Sequence, residues 1–220
     1  MRTYLRSSFV GVVLLGALLI FSSPVLASAD TAVVRGVLTE NAAVMKLVVN
    51  AKVTIAGVPA TVSGQGFTVA NVPVGMQSMV ASAPGHVTLK KTIDVLPGQN
   101  TLTVALAITV GETYRRYFNA YNHARFRVAY RMVHPDVRRH QTLSQFAASI
   151  RPFLPWLSMR IVGIKTLAKW RPQYLGKTYY NVKAVDRVLR YKCIDGVCAE
   201  RGVRHWDRIS GRWYLISNWH

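Results

Sequence analysis

Two cysteines near the carboxyl end of the sequence are the residues whose spacing points most directly to a chemical bond. Cys193 and Cys198 enclose the tetrapeptide Ile-Asp-Gly-Val, and Asp-Gly between two strand-like segments is a strong signal for a two-residue hairpin turn. A turn at Asp195-Gly196 places the cysteines directly opposite each other, with Cα atoms about 4.5–5.5 Å apart, within the range of a disulfide. We therefore predict a Cys193–Cys198 disulfide that holds the register of a long hairpin. The alternative, a redox-active pair, needs an accessible thiol of lowered pKa, usually at a helix N-terminus.

The same turn predicts which basic residues face each other across the hairpin. Counting outward without a β-bulge, Arg190 lies opposite Arg201, and Arg187 lies opposite Arg204. Like charges in directly opposite positions destabilise a sheet, so two such pairs suggest an anion bound between them. Solvated side chains that splay apart are the simpler alternative. These four arginines are the candidate anion-binding residues.

One further cross-strand pair has the chemistry of an acid and a base. The count places Asp186 opposite His205, where the carboxylate could orient the imidazole for proton transfer. A structural ion pair is the simpler alternative. Two cysteines are too few for a four-cysteine zinc site, and the sequence has no Gly-rich phosphate loop, no His-x-x-x-His pair and no Gly-x-Ser-x-Gly motif. We expect no metal and no cofactor, and a binding protein in preference to an enzyme.

The first 29 residues have the three parts of a secretory signal peptide. Arg2 and Arg6 make a positive start, an apolar run follows at residues 9–21, and Ala27-Ser28-Ala29 is a small-residue exit. The run of 13 residues is short for a membrane span, which needs about 20 residues. We predict cleavage after Ala29, a secreted or periplasmic protein, and no transmembrane segment after cleavage. An uncleaved anchor is the alternative.

The rest of the chain divides into two halves of different charge. The 220 residues include 28 Lys and Arg against 9 Asp and Glu, a formal net charge of +19. Residues 30–110 contribute +2, whereas residues 111–220 contribute +15 and contain all five tryptophans. We predict one domain at residues 30–109 and a second at residues 110–220. Half of the residues are apolar, which excludes a disordered chain.

A net positive charge of this size indicates different partners for an exported protein than for a cytosolic one. In the cytosol such a basic cluster would suggest nucleic acid, and the export signal argues against that partner. Anionic lipid headgroups and acidic glycans are the polyanions of the envelope. We expect an anionic envelope component or another envelope protein as the partner, and association of two copies of the chain is left open.

Residues 30–109 alternate apolar and polar side chains in the pattern of half-buried strands. Residues 87–95 and 101–108 show the period of two, and turns rich in Gly and Pro separate the strands at short spacing. The absence of a helical stretch favours an all-β sandwich.

Residues 32–108 also resemble the carboxypeptidase regulatory-like (transthyretin-like) family. The resemblance is carried by Val34-Arg35-Gly36-Val37, Gly66-Phe67-Thr68-Val69, Asn71-Val72-Pro73-Val74-Gly75 and Ala83-Pro84-Gly85-His86. It implies an accessory β-sandwich scaffold without catalytic activity. Two departures are His86, where the family usually has Tyr, and an apolar insertion at residues 39–49.

The second half begins with helical periodicity and ends with strands. One apolar helix face starts at Tyr114, a second runs from Phe126 to Val133, and the capping-box pattern Thr142–Gln145 opens a third helix. Strand-like segments follow at residues 159–167, 177–193, 197–207 and 212–217. Residues 110–218 resemble the NTF2-like family, which implies an α+β cone of three helices packed on a curved antiparallel sheet. Isomerases and dehydratases of that family use a carboxylate or a His–Asp pair deep in the cone.

Together these patterns predict an exported, non-catalytic envelope binding or scaffold protein whose basic second domain contacts an anionic partner. The alternative is an enzyme of the NTF2-like isomerase or dehydratase type, with a pocket inside the cone and Asp186 and His205 as its candidate residues.

Overall fold

The computed structural model describes residues 30–41, 46–194 and 196–216, and at Phe153 it describes the backbone alone. The predicted signal peptide lies outside these residues. Within them the chain is a mixed α/β protein with three sheets of mostly antiparallel strands and four α-helices. None of these helices is both long enough and apolar enough to cross a membrane.

The N-terminal half, residues 30–109, contains two four-stranded sheets. Its strands are β1 (Thr31–Asn41), β2 (Lys52–Ile55), β3 (Val58–Pro59), β4 (Thr61–Ser63), β5 (Gly66–Pro73), β6 (Gly75–Ser82), β7 (Leu89–Val95) and β8 (Gly98–Ala107). One sheet has the order β4-β5-β1-β8 and the other has the order β3-β2-β6-β7. β1 and β8 run parallel, and the other neighbouring strands run antiparallel.

Alternating apolar side chains of the two sheets meet in one hydrophobic core. β1 buries every second residue from position 32 to position 40. Its Val34 and Leu38 are fully buried, and they share one cluster with Ile55 and Met79 of the other sheet. The two sheets therefore pack against each other. The two strands that the period of two predicts are confirmed as β7 and β8.

The C-terminal half, residues 110–216, places four helices before one antiparallel sheet. The elements are α1 (Val110–Asn122), α2 (Phe126–Arg131), α3 (Pro135–His140), α4 (Leu143–Ile150), β9 (Trp156–Trp170), β10 (Tyr179–Cys193), β11 (Gly196–Ile209) and β12 (Arg212–Leu215). The order in the sheet is β12-β11-β10-β9. The predicted capping box is present, because Thr142 and Gln145 bond to each other's backbone N–H groups at the start of α4.

The prediction of three helices is wrong for the described residues, since α3 is a fourth. From the sequence, Pro135 suggests only the end of the preceding helix. In the structure it occupies the first turn of α3, where the missing N–H group of proline costs no helical hydrogen bond. His134 caps this helix, with its Nδ1 accepting a hydrogen bond from the backbone N–H of Asp136 at 3.0 Å.

Aromatic side chains hold α1 on the sheet. Tyr114, Tyr117 and Tyr121 follow the predicted helical face and are fully buried. The ring centroids of Tyr114 and Tyr117 lie 5.4 Å and 5.7 Å from that of Trp206 on β11. Rings at such distances bury a large apolar area and add specific edge-to-face contacts. These tyrosines form the centre of the core.

A buried carboxylate joins the two halves. Glu40, near the end of β1, accepts hydrogen bonds from two nitrogens of Arg116 on α1, each at 2.7 Å. Its oxygens also lie 2.8 Å from Nε2 of His86 and 2.6 Å from the backbone N of Lys46. Arg116 donates in addition to Glu112 at 3.0 Å. Since a buried charge is tolerated only when it is paired, this cluster ties α1 to the first half.

The residue after Glu40 makes a second contact between the halves. Asn41 accepts a hydrogen bond from Nε of Arg212 at 3.1 Å and donates one to the carbonyl of Ser210 at 3.4 Å. Ser210 lies in the turn between β11 and β12, and Arg212 is the first residue of β12. The end of β1 therefore contacts the first helix and the last hairpin of the C-terminal half.

We expect Glu40→Gln to destabilise the protein by about 3–5 kcal/mol, because it leaves the buried guanidinium of Arg116 without most of its counter-charge. The measurement is urea unfolding at neutral pH. Asp94→Asn, which removes an exposed carboxylate of the same half, is the control and should change stability by less than about 0.5 kcal/mol. Equal stabilities for the two variants would contradict the role of Glu40.

The same carboxylate predicts a loss of stability in acid. Burial raises the pKa of Glu40, but hydrogen bonds from Arg116, Lys46 and His86 outweigh burial, and the pKa lies below its ordinary value of 4.5. As the pH falls below that value, the unfolded chain binds a proton before the folded one, so this stabilisation is lost. The unfolding free energy of Glu40→Gln should therefore fall less between pH 6 and pH 3 than that of the wild type. Parallel decreases in the two proteins would show that Glu40 contributes nothing to acid sensitivity.

Candidate functional site

The hairpin of β10 and β11 is paired two residues out of step with the count made from the sequence. Cys193 lies opposite Gly196, and Tyr191 lies opposite Cys198. The turn therefore begins one residue earlier than predicted. Gly196 has a φ of 125°, a conformation that favours glycine, but it uses this freedom as the first residue of β11. Asp195 lies outside the described residues.

The predicted disulfide is confirmed. Cys193 and Cys198 are bonded, with their Cα atoms 5.8 Å apart. The bond runs diagonally between two rungs that are separated by the Lys192–Val197 rung, and residues on such alternate rungs lie on the same face of a sheet. Because the cysteines are only 5 positions apart, the bond ties the end of the hairpin and constrains little of the unfolded chain.

The predicted cross-strand pairs of arginines are wrong. The structure gives the pairs Arg187–Gly202, Arg190–Ala199, Arg201–Val188 and Arg204–Val185. None of the four arginines lies directly opposite another, because the register differs by two residues. The directly opposite like charges that suggested an anion between them are therefore absent from this hairpin, and the members of each predicted pair are diagonal neighbours instead.

The sheet of the C-terminal half has a helix-facing side and an outer face, and the four arginines are divided between them. Ile161, which pairs with Arg187, lies beside α1, since a Cβ on Gly111 would be 3.6 Å from its side chain. Arg187 and Arg204 share the helix-facing side. The residues between these positions on each strand lie on the other side of the sheet, which we call the outer face. The outer face carries Arg160, Lys165, Asp186, Arg190, Lys192 and Arg201.

Arg187 is a cation enclosed in the protein interior. Its side chain is 1% exposed, and Nη2 donates a hydrogen bond to Glu200 at 3.1 Å. The guanidinium lies over Gly202, where a Cβ would come within 3.2 Å of Nη1. Its Nε and Nη1, like the hydroxyl of Tyr114, make no hydrogen bond of ordinary geometry among the described residues, although that hydroxyl lies close enough to Arg187 to interact with it. Burial raises the pKa of Tyr114 against the opposing charges of Arg187 and Arg204.

The predicted position of Asp186 opposite His205 is wrong, so neither the candidate acid–base pair nor the ion pair between these two residues is formed. Asp186 lies opposite Val203. Its two carboxylate oxygens each accept a hydrogen bond from Nε of Arg201 at 3.1 Å. The hydrogen bonds from Arg201 hold the pKa of Asp186 below its ordinary value of 3.8. The carboxylate is therefore committed to a structural ion pair.

His205 lies opposite Ala184 and stacks on Trp170, with ring centroids 4.0 Å apart and planes 12° from parallel. Burial, with a smaller contribution from the charge of Arg204, lowers the pKa of His205 to about 4. The imidazole is neutral at neutral pH and serves as a packing surface.

Another histidine and carboxylate do meet, although the sequence count does not find them. Nε2 of His134 lies 3.3 Å from a carboxylate oxygen of Asp207. Nδ1 of this ring accepts a hydrogen bond from the backbone N–H group of Asp136, so the ring proton is on Nε2. Nε2 therefore donates a hydrogen bond to the carboxylate of Asp207. Both nitrogens are engaged, so the pair holds α3 against β11 and has no free site for proton transfer. The signal in the sequence is His-Pro-Asp, a cap residue before Pro and an acid in the first helical turn.

The acidic residues that the structure describes in the C-terminal half are already paired within the protein. Each of the five described carboxylates lies within ion-pair distance of a basic side chain: Glu112–Arg116, Asp136–Lys177, Asp186–Arg201, Glu200–Arg187 and Asp207–His134. The half has 21 Lys and Arg residues against six acidic residues. Its surplus positive charge therefore remains for partners outside the chain.

Two open clefts lie away from the candidate catalytic residues. A cleft of about 610 Å³ lies between Phe126 of α2, Leu143 of α4 and Arg151. Another of about 470 Å³ is lined by residues that include Trp156, Tyr191 and Lys192. Neither is lined by Asp186 or His205. The described residues contain no cluster of His, Cys, Asp or Glu that could hold a metal ion.

Comparison with known proteins adds no relative to this picture. No protein-family model matches the chain, and no curated protein matches it. The candidate site is therefore defined by its own charges and geometry.

We expect Gly202→Ala to destabilise the protein by about 1–3 kcal/mol, because the added Cβ crowds the enclosed guanidinium of Arg187. The matched control is Gly163→Ala on the neighbouring part of the sheet, where a Cβ meets no atom within 4 Å. Replacing a strand glycine by alanine in open space should be neutral or stabilise by about 0.5–1 kcal/mol. Urea unfolding measures both, and equal effects would contradict the close packing at Gly202.

Proposed function

We propose that the protein is an exported, non-catalytic binding protein of the cell envelope, and that the outer face of its second half docks an anionic partner. The predicted export signal gives its place, secreted or periplasmic. The first half acts as a scaffold and the second half as the binding module. No cofactor takes part.

The architecture supports a finer assignment of the two halves. Two packed four-stranded sheets with one core agree with a carboxypeptidase regulatory-like β-sandwich at residues 30–109. Helices on one side of a four-stranded antiparallel sheet agree with an NTF2-like cone at residues 110–220. In this assignment the β-sandwich is the scaffold that carries the cone, and the outer face of the sheet is the binding surface.

The charge left over after internal pairing is the observation that carries the proposal. Residues 111–220 have a net charge of +15, and the described carboxylates among them are already paired. On the outer face, Arg160 pairs with Val188, which lies two residues from Arg190 on β10, so the two arginines are diagonal neighbours. Such neighbours lie about 7–8 Å apart. Charges within about a Debye length of 8 Å reinforce one another, so this face attracts anions with several charges.

The alternative is an enzyme of the NTF2-like isomerase or dehydratase type. It is favoured by the enclosed Arg187 and Tyr114, whose polar atoms could bind a small acid between the helices and the sheet. The pairing of Asp186 with Arg201 and the stacking of His205 remove the acid–base pair that this alternative requires.

We expect the triple variant Arg160→Gln, Lys165→Gln, Arg190→Gln to weaken binding to anionic surfaces. At about 1 kcal/mol for each charge near the surface, the affinity should fall on the order of 100-fold. The measurement is binding of the protein, expressed from the full sequence, to phosphatidylglycerol-containing vesicles and to the acidic glycan polygalacturonate, at low and high salt. The intact mass should correspond to a chain that begins at Asp30.

The matched control removes three exposed lysines of the first half, in Lys52→Gln, Lys90→Gln, Lys91→Gln. Its charge change is the same, but its binding should stay near that of the wild type. Binding that is absent at low salt, or that does not weaken as salt rises, would overturn the proposal. Equal losses in the two triple variants would show that total charge matters and the outer face does not.

A further inference from the structure

The closed end of the β10–β11 hairpin projects beyond its neighbouring strand. β9 begins at Trp156, which pairs with Tyr191, so the residues that follow Tyr191 have no partner on that side. We call residues 192–194 and 196–198 the hairpin tip. The Cys193–Cys198 disulfide ties its two strands together. The tip is therefore a cross-linked projection.

Apolar side chains are exposed at this end of the protein. Ile194 is 102% exposed, as much as in an unfolded chain, and Val197 is 55% exposed. Leu157, at the start of β9, is 46% exposed and lines the same cleft as Lys192. Single exposed apolar residues are common on protein surfaces, but several at the end of a projection indicate a contact surface.

Basic side chains follow the apolar ones along the outer face. Lys192 pairs with Val197 at the tip, and Arg190 lies on the next outer-face rung. At about 3.3 Å per residue, these two cations lie within about 7 Å of each other along the strand. Arg201 lies on the rung after that and is paired with Asp186. The order along the hairpin is an apolar end followed by a basic band.

This order matches the surface of an anionic bilayer. Apolar groups of interfacial proteins enter the boundary between headgroups and acyl chains to a depth of about 5–10 Å, while Lys and Arg contact the headgroups. An acidic glycan offers the charges but no apolar layer for Ile194 and Val197. The exposed aliphatic side chains therefore favour a lipid surface among the anionic partners.

We propose that the hairpin tip inserts into an anionic lipid surface, with Ile194 and Val197 in the headgroup–acyl boundary and Lys192 and Arg190 on the phosphates. This inference rests on the proposed function, in which an anionic partner docks on the outer face, and it names the chemistry of that partner. The neighbouring Asp195 adds a negative charge to the tip sequence, so Asp195→Asn should strengthen the binding.

The test compares two double variants of the full chain on phosphatidylglycerol-containing vesicles. Ile194→Ser, Val197→Ser should reduce vesicle binding about tenfold or more and leave binding to polygalacturonate unchanged. The control is Met76→Ser, Leu96→Ser, which removes apolar side chains of the first half that are 69% and 60% exposed; it should bind vesicles like the wild type. Equal urea midpoints for both variants verify the fold.

A second measurement reports insertion directly. Ile194→Trp should show a blue shift of its added fluorescence on phosphatidylglycerol-containing vesicles, and Met76→Trp should show none. If the wild type binds vesicles but the tip variant binds them equally well, or if Ile194→Trp shows no shift, insertion is wrong and an anionic partner on the outer face stands. If the wild type binds neither vesicles nor polygalacturonate, both proposals fall.

Discussion

The ion pair of Glu40 and Arg116 is the interaction on which the arrangement of the two halves depends. A carboxylate removed from water costs several kcal/mol unless charged donors surround it. Here two guanidinium nitrogens, a histidine and a backbone N–H group bind the two oxygens. The donors come from a turn of the first half and from α1 of the second. The carboxylate is therefore satisfied only when the two halves are in contact, which links the folding of one half to the docking of the other.

The same rule of pairing determines the surface of the second half. Acidic residues are few, and those described pair with basic residues of the same half: Glu112 with Arg116, Glu200 with Arg187, Asp186 with Arg201, and Asp207 with His134. The negative charge of the described residues is thus used within the protein. What remains outside is positive, on an uncovered sheet face that ends in an apolar tip. A surface of this kind is stable in water because the charges are solvated, and the proposed lipid partner would supply both phosphate and hydrocarbon to it.

Local patterns in the sequence predict the local structure well. The strand period at residues 87–95, the tyrosine face of α1 and the capping box at Thr142 depend on neighbours within a few positions. The disulfide is also predictable, because a shift of two residues leaves both cysteines on one face. The pairs of the hairpin are not, because Gly196 can take a positive φ either in a turn or at the start of a strand.

Contacts between distant residues explain the other differences. The role of Glu40 depends on a partner 76 positions away. The burial of Arg187 depends on Gly202, which becomes its neighbour only once the strands are paired. Pro135 ends one helix and begins another, and the sequence around it shows the second signal only when His134 is recognised as a cap. The two packed sheets and the helix-plus-sheet half follow from the pattern; the register of individual side chains does not.

The contact of Asn41 has a mechanical consequence. If the ion pair of Glu40 were the only contact that this strand makes with the second half, the second half could rotate about that single point. Asn41 attaches the adjacent position of the same strand to Ser210 and Arg212 of the last hairpin. Two separate attachments restrict that rotation, so two consecutive residues of β1 help to fix the orientation of the second half relative to the first.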